Sequence, residues 1–218
     1  MVLLIRPSQV ACAVETPDIS GVIHYEADAA RPWRYGRYYV SKTPEHTLAE
    51  ALVCLRGRAL KGLRPRDQPA VAHVDQQDYR FIPETVAIRE GDQIRFTNSD
   101  AALHNVNAVA GDEPLNVSLT QDGEHLHVFR RAGNSKKPIR IGCAFHSQMQ
   151  AWIYVFDHPF FAVTGPDGRF AFDGVPPGEY DLEVTHPPGG LSMTRKIVVT
   201  EDQPQVVDLR LTPEHLTR

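Results

Sequence analysis

Gly142-Cys143-Ala144-Phe145-His146-Ser147-Gln148-Met149 is the stretch from which the fold and chemistry of this 218-residue chain can be approached. It places a thiol, an imidazole and a thioether close together in sequence. Strand-like runs precede it and follow it. A tight loop between neighbouring strands can turn three such side chains toward one point. Cysteine, histidine and a weakly binding methionine are soft donors of the kind that suits copper.

A second histidine lies upstream, in Asp100-Ala101-Ala102-Leu103-His104-Asn105-Val106, just after another strand-like run. If three ligands come from one loop, a fourth must come from a neighbouring strand and is therefore distant in sequence. Together with Cys143, His146 and Met149, His104 completes the donor set of blue copper electron-transfer sites. Zinc also binds cysteine and histidine, but the methionine favours copper.

The residues around these two motifs, about 70–158, alternate between apolar and polar in short runs separated by turns. Short strands at this spacing predict a two-sheet sandwich with Greek-key connections. The predicted strands are Val71–Asp75, Tyr79–Ile82, Glu84–Arg89, Gln93–Thr97, Glu124–Phe129, Pro138–Gly142 and Ala151–Phe156.

Composition excludes several classes of protein. The chain is 42% hydrophobic and has 17 prolines and 15 glycines, so it can form a core, but one of short segments rather than long helices. Its formal net charge of -4 argues against a nucleic-acid binder. No apolar run is long enough for a membrane span. Neither a glycine-rich phosphate loop nor a Gly-x-Ser-x-Gly elbow occurs.

The first zone, residues 1–69, has weaker signals. Gly21–Tyr25 alternates like a strand, whereas Leu48–Leu55 fits either a short helix or a buried strand. Cys54 in that run is predicted to be a buried core thiol. The beginning of the chain, with Cys12, fits either the clipped end of an export signal or a flexible tail.

The last zone, residues 159–218, repeats the strand pattern at a smaller scale. Thr164–Gly168 is a turn, and Arg169–Phe172 and Glu179–Val184 are strand-like. Such a short β module is marginally stable alone, so we expect it to pack against residues 70–158.

The two ligand motifs and their flanking strands resemble the cupredoxin family, the small type 1 copper proteins. Phe81-Ile82-Pro83, Ile94–Asn98 and His104-Asn105-Val106 follow the family's strand and first-ligand pattern, and Cys-x2-His-x2-Met is similar to the loop of amicyanin. With its C-terminal zone, the chain resembles bacterial methylamine-utilisation or plastocyanin-like proteins. The resemblance implies an all-β chain with an N-terminal extension (1–69), a Greek-key cupredoxin β-sandwich (70–158) and a carboxypeptidase-regulatory-like or transthyretin-like β module (159–218).

The resemblance also implies a function. One type 1 copper ion would be held by His104, Cys143, His146 and Met149, and Asn105 would tie the two ligand loops together. The protein would be an electron carrier rather than an enzyme, with His146 as the point of electron entry. It would have a redox partner protein and a periplasmic or exported location. Phe145 stands where the family often has proline, which would alter access to the site and its potential.

Other interpretations remain open at this point. The protein could bind or deliver copper without redox turnover, or it could be a structural or carbohydrate-binding accessory protein. His125 and His127 lie two apart on one predicted strand, where they form either a solvated face or a second metal site.

Overall fold

The structure is a computed structural model, and it describes residues 18–26, 30–33, 36, 38–61, 63, 68–110, 114–201 and 203–217. The chain is all-β, as predicted. The beginning of the chain, including Cys12, lies outside the described residues. Within them, no helix is long and apolar enough to cross a membrane. The strands are β1 (Ile19–Tyr25), β2 (Leu52–Arg56), β3 (Val71–Gln77), β4 (Arg80–Ile82), β5 (Thr85–Arg89), β6 (Gln93–Asn98), β7 (His104–Ala110), β8 (Asn116–Leu119), β9 (Glu124–Val128), β10 (Ile139–Gly142), β11 (Gln150–Phe156), β12 (Phe161–Val163), β13 (Arg169–Phe172), β14 (Gly178–His186), β15 (Leu191–Val199), β16 (Gln205–Val206) and β17 (Leu209–Leu211).

Strands β3 to β11 form a first sandwich of two sheets. One sheet has the order β4-β3-β6-β9, and the other has the order β5-β11-β10-β7-β8. The alternating pattern of the sequence explains the core, because alternate residues of a strand point to the same face. On β6, for example, Ile94 and Phe96 are both fully buried between the sheets.

The remaining strands form a second sandwich, and two of them come from the N-terminal zone. One sheet has the order β12-β2-β14-β15, and in the other β1 lies between β13 and β16 and also pairs with β17. The segment that fits either a helix or a strand by pattern is therefore a strand at its C-terminal part, β2. The second sandwich is thus discontinuous in sequence, with the whole first sandwich inserted between β2 and β12.

A small apolar cluster joins the two sandwiches. Leu52 and Cys54 of β2 pack with Tyr154 and Phe156 of β11, and the Phe156 ring stacks on Phe161 at 4.5 Å between centroids. Cys54 is 1% exposed, which confirms the prediction of a buried thiol. Burial, with a contribution from Glu183, raises the pKa of this thiol to about 12, so it stays protonated at neutral pH.

Polar contacts also cross the junction. The buried carboxylate of Glu183 on β14 accepts a hydrogen bond from the Ser135 hydroxyl and lies 3.0 Å from the Lys136 ammonium, both in the turn before β10. The carboxylate of Glu50, next to β2, accepts a hydrogen bond of 2.7 Å from the Thr85 N–H of β5. Each sandwich therefore supplies hydrogen-bond or ionic partners for buried groups of the other. Because these contacts form in one arrangement, they favour one position of the two sandwiches relative to each other.

Glu50 makes the stability of this junction dependent on pH. It lines a cleft of about 710 Å³ between the sandwiches, and burial together with the nearby Glu84 carboxylate raises its pKa to about 7. A group whose pKa is higher in the folded state stabilises the fold below its unfolded pKa, and this contribution is lost as pH rises toward 7. We expect Glu50→Gln to increase the free energy of unfolding by about 2 kcal/mol at pH 8 and to change it little at pH 4.

Chemical denaturation at the two pH values measures this effect. Glu90→Gln, at an exposed position, is the matched control and should change neither value appreciably. An equal effect of Glu50→Gln at both pH values would contradict a link to ionisation of this carboxyl.

Candidate metal centre

The candidate site lies at one end of three adjacent strands. His104 is the first residue of β7, Cys143 follows the last residue of β10, and Met149 precedes the first residue of β11. These strands are neighbours in the order β11-β10-β7. Hydrogen bonding between them therefore brings the three positions together at the same end of the strands. The loop that joins β10 to β11 also carries His146.

The nitrogen and sulfur donors converge on one point. The Nδ1 atoms of His104 and His146 are 3.0 Å apart, and the Cys143 Sγ lies 3.6 Å from the Nδ1 of His146. All three donors lie within 4.8 Å of one another. Nitrogen and sulfur ligands lie about 2.0 and 2.3 Å from a bound zinc ion, so ligands that share one ion of this size are about 3 to 4 Å apart. The separations of 3.0 and 3.6 Å from the His146 Nδ1 are in this range, so these donors suit one transition-metal ion. The widest separation in the group, up to 4.8 Å, would have to shorten for all three donors to bind it.

Met149 belongs to the same buried region. Its side chain is 1% exposed and packs in the apolar cluster of the first sandwich that also contains Cys143. Its backbone N–H donates a 3.0 Å hydrogen bond to the His146 carbonyl, which closes the loop as a tight turn. A soft thioether is thus present in the same cluster as the thiol.

Asn105 connects the two ligand segments. Its backbone N–H lies 3.3 Å from the Cys143 Sγ, and its side-chain oxygen accepts a 3.4 Å hydrogen bond from the Ala144 N–H. Its amide nitrogen donates to Asn116 Oδ1 at 2.9 Å and to the Val117 carbonyl at 3.0 Å, both on β8. Asn105 therefore links the start of β7 both to the Cys143 sulfur and to the loop that follows it.

Asp100 orients His104, a role that sequence reasoning missed. The Nε2 of His104 and the Asp100 Oδ2 are 2.7 Å apart. When the carboxylate accepts the Nε2 proton, the lone pair of a neutral imidazole is on Nδ1, the nitrogen that faces His146 and Cys143. Asp100 lies four residues before His104, within the motif quoted above, but the side chain of a loop residue has no preferred direction that a sequence pattern reveals.

Hydrogen bonds keep Asp100 ionised. Partial burial acts to raise its pKa, but the backbone N–H of Tyr79, the His104 imidazole and the backbone N–H of Asp78 outweigh it, so the pKa of Asp100 lies below its ordinary value. The carboxylate is therefore available as an acceptor at neutral pH.

Aromatic side chains surround the histidines. The Tyr79 ring meets both imidazoles edge-on, with centroids 5.3 Å from His104 and 4.9 Å from His146. Phe145 is 53% exposed, and its centroid is 6.5 Å from that of His146. Sequence reasoning singled out Phe145 but not Tyr79, because Tyr79 comes from the distant β3–β4 hairpin.

His125 and His127 lie in the other sheet of the first sandwich, on its edge strand β9. Their ring centroids are 6.0 Å apart. Both are half-buried and stand opposite the core residues Phe96 and Ile94, whereas the intervening Leu126 is 47% exposed. The face of β9 that carries the pair is therefore partly exposed to solvent. Among the described residues, the one group of three or more close His, Cys, Asp or Glu donors is that of His104, Cys143 and His146.

A family model described as a carboxypeptidase regulatory-like domain matches residues 150–212. The match begins at β11 of the first sandwich and continues through the C-terminal strands of the second. A search of the curated proteins finds no match to this chain.

Solved structures similar to this chain include a cupredoxin, an amicyanin and a copper-containing nitrite reductase. One is a purple cupredoxin from Nitrosopumilus maritimus, at 19% identity and a TM-score of 0.34, with 39% of this chain and 99% of that chain covered. An oxidized mutant of amicyanin has 22% identity and a TM-score of 0.35, with 44% and 90% covered. A copper-containing nitrite reductase from Thermus scotoductus has 22% identity and a TM-score of 0.37, with 45% and 25% covered. Each similarity covers less than half of this chain.

Proposed function

We propose that this protein is a mononuclear type 1 copper protein that carries single electrons. The observation that supports this most directly is the convergence of two imidazole nitrogens and one thiol, with the Cys143 Sγ 3.6 Å and the His104 Nδ1 3.0 Å from the Nδ1 of His146. Two histidines and a cysteine, with a methionine in the same buried cluster, are the donor types of blue copper sites. When bound, copper would supply a one-electron couple.

The surroundings of the donors suit electron transfer better than catalysis. His104, Cys143, His146 and Met149 would supply four protein ligands, whereas catalytic metal sites keep a position open for water or substrate. Strands and hydrogen bonds fix the donors: Asp100 holds His104, and Asn105 contacts both Cys143 and Ala144. Donors held in place in this way rearrange little when the charge of a bound metal changes.

His146 is the proposed point of electron exchange. It is half-buried, and two exposed aromatic rings lie beside it, those of Tyr79 and Phe145. An exposed apolar patch suits transient contact with another protein, so we propose a redox partner protein that docks here. By resemblance to the cupredoxins, a periplasmic or exported location is proposed as well.

Copper loading followed by voltammetry tests this function. We expect the Cu(II)-loaded protein to have an intense visible thiolate-to-copper charge-transfer band and to give a reversible one-electron couple. A colourless Cu(II)-loaded protein would refute the type 1 site. Tight Cu(I) binding without a reversible couple would instead favour copper delivery.

A further inference from the structure

The hairpin between β3 and β4 adopts an unfavourable backbone conformation. Its two central residues, Asp78 and Tyr79, have φ angles of 53° and 58°. A two-residue hairpin with positive φ at both positions is the type for which sequences such as Asn-Gly are preferred, because glycine adopts this region without steric cost. Aspartate tolerates the left-handed region, but a bulky tyrosine there is unusual. Strain that persists in a fold points to a local function.

One carboxylate holds this hairpin against the metal centre. Asp100 accepts hydrogen bonds from the backbone N–H groups of Asp78, at 2.9 Å, and Tyr79, at 3.0 Å. The same carboxylate lies 2.7 Å from the Nε2 of His104. The position of the hairpin tip is therefore coupled directly to the orientation of a ligand histidine. On the β4 side, Phe81 anchors the hairpin in the core, where it is fully buried.

The strained conformation brings the Tyr79 ring onto both histidines. Its plane is nearly perpendicular to each imidazole, at 86° to His104 and 90° to His146. Tyr79 is still 45% exposed, so part of the residue lies against the imidazoles and part of it faces solvent. A glycine would suit the turn better but would leave the two histidines without this cover.

We infer that the Asp78-Tyr79 tip is a fixed cover that keeps small external ligands, such as azide or imidazole, from the metal centre. This inference rests on the proposed function, since it concerns access to bound copper. Tyr79 acts as a positioning and access-controlling residue, and Asp100 couples it to His104. Electrons can pass between packed side chains, whereas a ligand must displace the ring to reach the donors.

The test compares wild type with Tyr79→Gly, each loaded with Cu(II) and titrated with azide and imidazole while the charge-transfer band is recorded. Tyr79→Gly should retain the band and bind azide at least tenfold more tightly than wild type. The metal-free variant should unfold at the same or a higher urea concentration, because glycine relieves the turn. In the metal-free Tyr79→Gly variant, His104 and His146 should also react faster with diethylpyrocarbonate than in metal-free wild type.

Two control variants separate the cover from general effects of removing an aromatic side chain. Tyr79→Phe keeps the ring and should behave like wild type toward azide. Phe145→Ala removes a ring that is more exposed and more distant from His146, and it should bind azide no more tightly than wild type.

The outcomes are distinguishable. If wild type has the charge-transfer band but Tyr79→Gly and wild type bind azide equally, the cover is refuted and the copper site stands. The same holds if Tyr79→Phe binds azide as tightly as Tyr79→Gly. If wild type has no band, both the proposed function and this inference fail.

Discussion

Cys143→Ser is expected to abolish the visible charge-transfer band of the copper-loaded protein completely. The band requires a thiolate bound to Cu(II), and a serine hydroxyl is a harder and weaker donor that stays protonated at neutral pH. Removal of the sulfur also leaves the N–H of Asn105, now 3.3 Å from the Cys143 Sγ, without its soft acceptor. We therefore expect weaker copper binding as well as loss of colour, measured by absorption spectroscopy and competition with a chelator.

Cys54 provides the matched control, since it is the other free cysteine among the described residues. It is buried between the sandwiches, and its raised pKa disfavours a thiolate that could bind metal. Cys54→Ala should keep the band at full intensity and lose only some stability through a small cavity. Retention of the band in Cys143→Ser, or its loss in Cys54→Ala, would contradict the assignment of the ligand thiol.

The isolated fragment 159–218 is expected not to fold, although its sequence looks like a small β module. In the structure, β12 pairs with β2, and β13, β16 and β17 all pair with β1. Without the N-terminal strands, only the hairpin of β14 and β15 keeps its partner among the described strands of this fragment. A two-stranded hairpin is marginally stable at best in water. Circular dichroism should therefore show no cooperative thermal transition.

A fusion of residues 18–61 to residues 157–217 through a flexible Gly/Ser linker is the corresponding control. It restores β1 and β2, and with them both sheets and their buried apolar cluster. We propose that these two segments form one folding unit, so the fusion should unfold in a single cooperative transition. A cooperative transition in 159–218 alone would show instead that the N-terminal strands are dispensable.

Local sequence patterns predicted most strands of the first sandwich and the side chains that these strands bury. Alternation along β6 correctly predicted which side chains enter the core, because strand periodicity depends only on backbone geometry. The same local information could not assign β1 and β2 to their sheet neighbours. Pairing between strands that are distant in sequence depends on whether their faces and edges are complementary. A single sequence does not show which strands match in this way.

The same division applies to the candidate site. By itself, the sequence determined which residues are candidate donors, because Cys143, His146 and Met149 lie on one short loop and His104 follows a strand-like run. Only the tertiary structure decided that Asp100 contacts the Nε2 of His104 and that the Tyr79 ring lies against both imidazoles. The physical reason is that ligand spacing within a loop is a local property of the chain. The direction of a loop carboxylate and the reach of a strained hairpin are instead set by residues that meet only after the sheets have formed.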